Sequence, residues 1–113
     1  MSTARSEAAR PQARHIDAAL RALADPNRRS ILALVRDAPL AVGDIAERVS
    51  ITQQAVSHHL RVLKDAELVT ESREGTRHLF AVRTDGFAAV RGYLDGFWPT
   101  QLQALKQAVE KHA

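Results

Sequence analysis

A chain of 113 residues with 45% apolar and 26% charged side chains has the make-up of one soluble domain with a modest core. The absence of cysteine excludes disulfides, thiolate metal sites and a cysteine redox switch, and is in keeping with a reducing cytoplasm, where we expect the protein to reside. The net charge of +3 favours an acidic partner, yet Met1 to Arg36 holds seven arginines against three acids, while Ala41 to Arg83 balances six against six.

No apolar run approaches the length of a membrane span, so no membrane partner is expected. Residues 1–13 are small, polar and Arg-bearing without an apolar period, which predicts a flexible arm ahead of one domain over 14–113. From Arg14 to Ala24, Ile16, Ala19, Leu20 and Leu23 keep helical spacing. Asp25-Pro26 then reads as an N-cap followed by proline at the first helical position, where a missing N–H costs nothing. That second helix should run to about Arg36, burying Ile31, Leu32, Leu34 and Val35.

A short helix follows over roughly Val42 to Val49, with Ile45, Ala46 and Val49 inward. Ser50-Ile51-Thr52 is a tight link, and Thr52 is a good N-cap for a helix over about Gln53 to Ala66. Two helices joined so closely make a helix-turn-helix. The period then changes: Leu68–Arg73 and Thr76–Val82 are β-biased runs flanking Glu74-Gly75, a hairpin in which Gly75 supplies the turn's backbone freedom. Thr84 or Asp85 should cap a last helix carrying Phe87, Val90, Tyr93, Leu94, Phe97, Trp98, Leu102, Leu105 and Val109, with Pro99 kinking or splitting it. The expected fold is mainly α with a small hairpin: a winged helix-turn-helix of five helices and a two-stranded wing.

The fourth helix is the informative one. Val56, Leu60 and Leu63 form its core stripe, while the opposite face carries Gln53, Gln54, Ser57, His58, Arg61 and Lys64. Amides, a hydroxyl, an imidazole and cations are the groups that bond base edges and phosphates, so this face suits the major groove of double-stranded DNA. Gln53 and Gln54 begin the helix and can pair with adenine; Thr52 is a cap that could also meet a phosphate. Ser57 and His58 lie one turn further on, and Arg61 and Lys64 are placed for phosphates, with pairing to Asp65 the bland alternative for Lys64. Arg73, Arg77 and His78 flank the wing turn, Arg77 being the first choice for the minor-groove backbone. His59 neighbours Val56 and Leu63 and should be half-buried against a backbone. Arg28 and Arg29 suit intramolecular pairing.

The segments Ala22-Leu23-Ala24-Asp25-Pro26-Asn27-Arg28-Arg29-Ser30-Ile31-Leu32, Gly43-Asp44-Ile45-Ala46, Ala55–Leu63 and Leu68-Val69 together resemble the ArsR-type (ArsR/SmtB-like) family of bacterial winged-helix repressors. The likeness covers about residues 15–83 well and the last helix more loosely, and points to a branch without a recognisable metal site. It implies a homodimer joined through its first and last helices, repressing transcription by occupying a promoter operator. Two departures stand out: Glu67 takes the place usually held by glycine before the wing, predicting a strained helix end of other geometry, and Pro99 interrupts the last helix. The interface so implied draws on Ile16, Leu20, Tyr93, Phe97, Trp98, Leu102 and Leu105, with Leu23 and Phe87 beside them; so small a chain cannot itself cover the aromatic stripe.

No cofactor and no metal ligand set is assigned. Asp95, Glu110 and His112, with His15, do not match the spacing of the family's last-helix metal sites, and a small ligand or no effector is the preferred reading over a metal-responsive repressor. His58 and His59 diverge by about 100° on a helix and cannot chelate one ion. A winged-helix module that binds protein rather than DNA is the competing class, favoured by the neutral central segment. Catalysis is not expected, because Ser57 beside His58 has no acid to orient the imidazole.

Overall fold

A computed structural model describes the backbone of residues 3–98 and 100–112, and the side-chain surroundings of 13–98 and 104–111. Among the described residues there are six helices and one antiparallel hairpin: α1 (Thr3–Leu23), α2 (Pro26–Asp37), α3 (Val42–Val49), α4 (Gln53–Asp65), β1 (Val69–Glu74), β2 (Arg77–Val82), α5 (Thr84–Asp95) and α6 (Thr100–His112). The expected count of five helices is corrected by the break after Asp95, where the last apolar stripe divides into α5 and α6. Pro99, named as the cause, lies outside the described residues. None of the helices is long and apolar enough to cross a membrane, among the residues described.

Helical backbone begins at Thr3 and not at Arg14, so the segment read as an arm carries helix. Apolar periodicity reports burial, not helicity, and alanines 4, 8, 9 and 13 favour the helix without supplying an apolar period. The α2 start is as expected: Asp25 accepts from the N–H groups of Asn27 (2.8 Å) and Arg28 (3.2 Å), with Pro26 in the first turn. Thr52 caps α4 by accepting from Ala55 N–H at 3.0 Å. The turn between α3 and α4 closes through Ser50, left-handed at φ 59°, whose N–H donates to Ala46 C=O.

The hairpin pairs Val69 with Val82 through Glu74 with Arg77, and Gly75 at φ 66° turns the chain. Leu40, in the α2–α3 link, adds a short bridge to Phe80 through reciprocal backbone bonds of 3.0 and 2.8 Å, fastening the wing base to the helices. Thr84 and Asp85 lie inside α5, so neither is its N-cap; Arg83 holds that position, and its guanidinium grips the Asp85 carboxylate at 2.9 and 3.2 Å.

The core gathers Ile31 and Val35 of α2, Ile45 of α3, Val56, Leu60 and Leu63 of α4, and Leu68 and Val69 at the wing base, all fully buried. Ala19 and Ala22 let α1 approach closely, and Val90 brings α5 in. Phe87 packs partly buried against this core, so it belongs to the chain's own interior and not to the exposed aromatic stripe. The radius of gyration is 17.5 Å, against about 13 Å for a compact domain of about 100 residues. Helix α6, whose described side chains are all exposed, contributes no residue to this core.

Candidate nucleic-acid interface

With Val56, Leu60 and Leu63 sealed inside, helical geometry turns the other side of α4 outward, and Gln53, Gln54, Ser57, His58 and Arg61 are all exposed. Thr52 is exposed at the helix start while its hydroxyl is occupied in capping. Among the described residues, Arg61 has no hydrogen bond or ion pair to another side chain, and Arg73 on the wing has none either. These two cations are ready for an anion.

The other candidate cations of α4 and the wing, Lys64, Arg77 and His78, are held. Lys64 pairs with Glu71 on β1 at 2.9 Å, not with Asp65, and His78 Nδ1 lies 2.7 Å from the other oxygen of the same carboxylate. The hydrogen bond from Lys64, ahead of the one from His78, holds the Glu71 carboxyl below its ordinary range against a smaller effect of burial. Arg77 reaches from the wing to Asp44 in the first turn of α3 at 3.0 Å. It therefore ties the wing to the helix-turn-helix, and both partners remain about half-exposed at 57% and 50%. Exposed pairs of this kind contribute only about 0–1 kcal/mol.

Behind the outward face, α4 is held at both levels. His59 is half-buried, and its partner is a side chain, not the backbone expected: Arg28 Nη1 lies 3.3 Å from His59 Nδ1. A guanidinium has no lone pair, so Arg28 donates, Nδ1 accepts, and a neutral ring carries its proton on Nε2. Burial, with the charges of Arg28 and His58, pushes the His59 pKa below 6.5, while Asp25 pulls the other way. Arg28 also donates to the carbonyls of Ala22 (2.8 Å) and Arg21 (3.2 Å) at the end of α1, and sits 3.9 Å from Asp25. For Asp25 burial acts upward, but the N–H bonds of Arg28 and Asn27 and the Arg28 charge outweigh it and lower its pKa. Arg29 donates to Leu23 C=O at 2.8 Å.

The C-terminal end of α4 corrects a second expectation. Glu67 adopts the left-handed conformation a glycine would take, at φ 62°, so the geometry is retained and only the strain is added. Leu68 N–H donates to Leu63 C=O and Glu67 N–H to Lys64 C=O, both at 2.9 Å, which closes the helix in a Schellman motif. The turn is clamped from outside. Gly86 of α5 lies so close that a Cβ there would overlap the Glu67 carbonyl oxygen and stand 2.8 Å from its carbon. His15 of α1 lies 3.1 Å from Gly86 C=O and 3.9 Å from the Glu67 carboxylate, and Arg83 lies 3.4 Å from that carboxylate. Helices α1 and α5 thus meet on the end of the outward-facing helix. Sequence reading missed this junction, for which a glycine in the first turn of a helix was the available signal.

The residues assigned to self-association divide. Leu20 (39%), Tyr93 (46%), Phe97 (68%), Trp98 (54%) and Leu105 (61%) are exposed large apolar side chains, whereas Ile16 is partly buried against the core. The side chain of Leu102 lies outside those described. Tyr93 and Phe97 stack edge to face at 5.2 Å. Among the described residues no group of three His, Asp or Glu side chains is placed to hold a metal ion; His112, one of the residues considered, has a side chain outside those described.

A helix-turn-helix domain model matches residues 23–72, the stretch from the end of α1 into β1. The chain is similar to the transcriptional regulator Rv2034 of Mycobacterium tuberculosis, 42% identical over 94 residues that cover 83% of this chain and 88% of that one. It is also similar to the arsenical resistance operon repressor of Staphylococcus xylosus, 33% identical over 76 residues covering 67% and 73% of the two chains. The chain belongs to the ArsR-type family of transcriptional regulators. Its fold is similar to that of the Mycobacterium bovis protein Mb0332, described as a homodimeric winged helix-turn-helix DNA-binding domain, with TM-score 0.63, 30% identity and 84% and 89% of the chains covered. As an ArsR-type regulator it departs from the expected pattern at Glu67, where the backbone keeps a glycine's conformation without the glycine.

Proposed function

We propose that this regulator is a cytoplasmic homodimer that represses transcription by laying two copies of α4 into successive major grooves of an operator with inverted-repeat symmetry. The observation that carries the reading is the outer face of α4, where exposed amides, a hydroxyl, an imidazole and an unpaired arginine occupy one side of a helix whose other side is sealed. Gln53 and Gln54 would read bases, Ser57 and His58 would bond bases or phosphates, and Arg61 would hold the backbone. Thr52 would offer its phosphate the helix N-terminus. On the wing, Arg73 would take a phosphate directly, and Arg77 and His78 would exchange Asp44 and Glu71 for the duplex.

Self-association would cover the exposed stripe of Tyr93, Phe97, Trp98 and Leu105, joined by Leu20. The relatives support this reading: one is named a repressor and the Mb0332 domain is described as homodimeric and DNA-binding. Half-sites would then lie about one helical turn, roughly 34 Å, apart.

The test is selection of duplexes from a random pool, followed by fluorescence anisotropy on the winning sequence. Replacing Gln53, Gln54 and Arg61 together by alanine should lower affinity by about 10²-fold or more, since each bidentate base contact is worth about 1–3 kcal/mol. Affinity should also fall steeply with salt, by a slope of about 0.9 per phosphate neutralised. Retained affinity in the triple variant would refute the proposed face, and a salt-insensitive protein partner in place of DNA would favour the interaction-module reading.

A further inference from the structure

A cleft of about 370 Å³ opens between the end of α1, the length of α2, the end of β2 and the start of α5. Its walls are apolar: Leu23, Leu32, Ala33, Val82 and Phe87. Only two charged side chains line it, and both are arginines, Arg29 and Arg36. Arg29 is braced against Leu23 C=O at 2.8 Å, which keeps its guanidinium at the cleft. Arg36 meets Asp37 at 3.4 Å, but these side chains are 72% and 75% exposed, so the pair is weak and the guanidinium is available. Among the described residues no acid lines the cleft. An open apolar cleft at the small end of the range for ligand sites, with two cations and no anion, is complementary to one kind of molecule. That molecule has a short apolar body and a single carboxylate.

We propose that this cleft is an effector site for a small amphipathic monoanion, the carboxylate held by Arg29 and Arg36 and the body by Leu32, Val82 and Phe87. The path to the outward-facing helix is short. Phe87 follows Gly86, whose backbone presses on the Glu67 carbonyl at the end of α4. A body that displaces Phe87 moves Gly86 and with it the strained turn that fixes α4. This regulatory step rests on the DNA-binding reading above; the binding step does not.

The experiment titrates the full chain, ¹⁵N-labelled, with octanoate, 1-octanol and acetate, and repeats the duplex anisotropy with octanoate present. Two variants accompany it: Arg29→Gln with Arg36→Gln, and Ala33→Trp, which places an indole in the cleft from an exposed position of α2. Octanoate should shift the amides of Leu32, Val82 and Phe87 to saturation, and acetate should not saturate. The double arginine variant should weaken octanoate about tenfold, as loss of charge-assisted bonds does, and leave octanol unchanged. Ala33→Trp should abolish both. Saturating octanoate should alter duplex affinity about fivefold or more, the lower end of ordinary coupling between sites.

Absence of saturable shifts, octanoate binding indifferent to the arginines, or shifts confined to Phe97 and Trp98 would overturn the site. Loss of self-association in Ala33→Trp would show that a second copy of the chain fills the cleft, which also overturns it. Duplex affinity unchanged at saturation would remove the effector role. A chain that binds no selected duplex at all would overturn the DNA reading, while the amide titration still decides the cleft.

Discussion

Val56, Leu60 and Leu63 on α4 and Tyr93, Phe97 and Trp98 across the end of α5 are both apolar stripes, yet the first is fully buried and the second lies 46–68% exposed. Spacing alone treats them alike. The difference lies in what surrounds them: α4 sits where α2, α3 and the wing base converge, while the aromatic side chains from Tyr93 to Trp98 are left largely uncovered by the described residues. A helical stripe states that a cover is needed and leaves open which molecule provides it.

The largest expected effect breaks that comparison directly. Leu63→Ala removes a fully buried side chain from the centre of the core and should cost about 2–5 kcal/mol by urea denaturation of the monomeric species. Trp98→Ala at an exposed site should cost that species less than about 0.5 kcal/mol. In sedimentation the order should reverse, with Trp98→Ala shifting the chain towards monomer. Equal destabilisation by both substitutions would mean that Trp98 is covered within its own chain.

The contrast also explains what was legible from residues in order. Asp25-Pro26, Thr52 and Gly75 announce their elements because the chemistry is local: a carboxylate, a hydroxyl or a missing Cβ acts within three residues of itself. The outward set on α4 was equally plain, since one helix carries both its buried and its exposed halves. What could not be read joins distant positions. The contact of His15 with Gly86 spans 71 residues, and Arg28 meets His59 across 31. Neither pairing leaves a mark on local spacing. Pairing also changed the meaning of Arg77, which looked like a free wing cation and instead braces the wing on Asp44. The start of α1 was missed for a different reason: alanine favours helix with no apolar face to betray it.

The junction of α1, α4 and α5 sharpens the comparison, because it is where the buried and exposed regions meet. Gly86→Ala would drive a methyl group into the Glu67 carbonyl, so α5 or the α4 turn must shift, at a cost of about 1–3 kcal/mol. Glu67→Gly acts oppositely. It releases the left-handed strain, about 1 kcal/mol, and gives up exposed contacts to Arg83 and His15 worth less than that. Thermal denaturation should therefore place Glu67→Gly at or slightly above wild type and Gly86→Ala well below it. If Gly86→Ala is neutral, the helices are not pressed together as described.

The smallest effect concerns acidity midway along α4. Burial, reinforced by Arg28 and His58 and opposed by Asp25, lowers the His59 pKa below its ordinary 6.5. The unfolded chain then takes up a proton at this site at a higher pH than the folded one does. Stability from the neutral ring is complete above 6.5 and declines as pH falls from there towards the lowered folded value, where protonation also sets a cation against Arg28. His59→Gln keeps an acceptor for Arg28 and cannot titrate. The stability difference between wild type and His59→Gln, measured by urea denaturation from about pH 8 to about pH 5, should move against wild type only below the ordinary histidine range. The carboxylates Asp25 and Glu71 are held below their ordinary ranges and so titrate beneath this span. A difference constant across the whole span would mean that His59 is as hydrated when folded as when unfolded, and that Arg28 does not hold α4 through it.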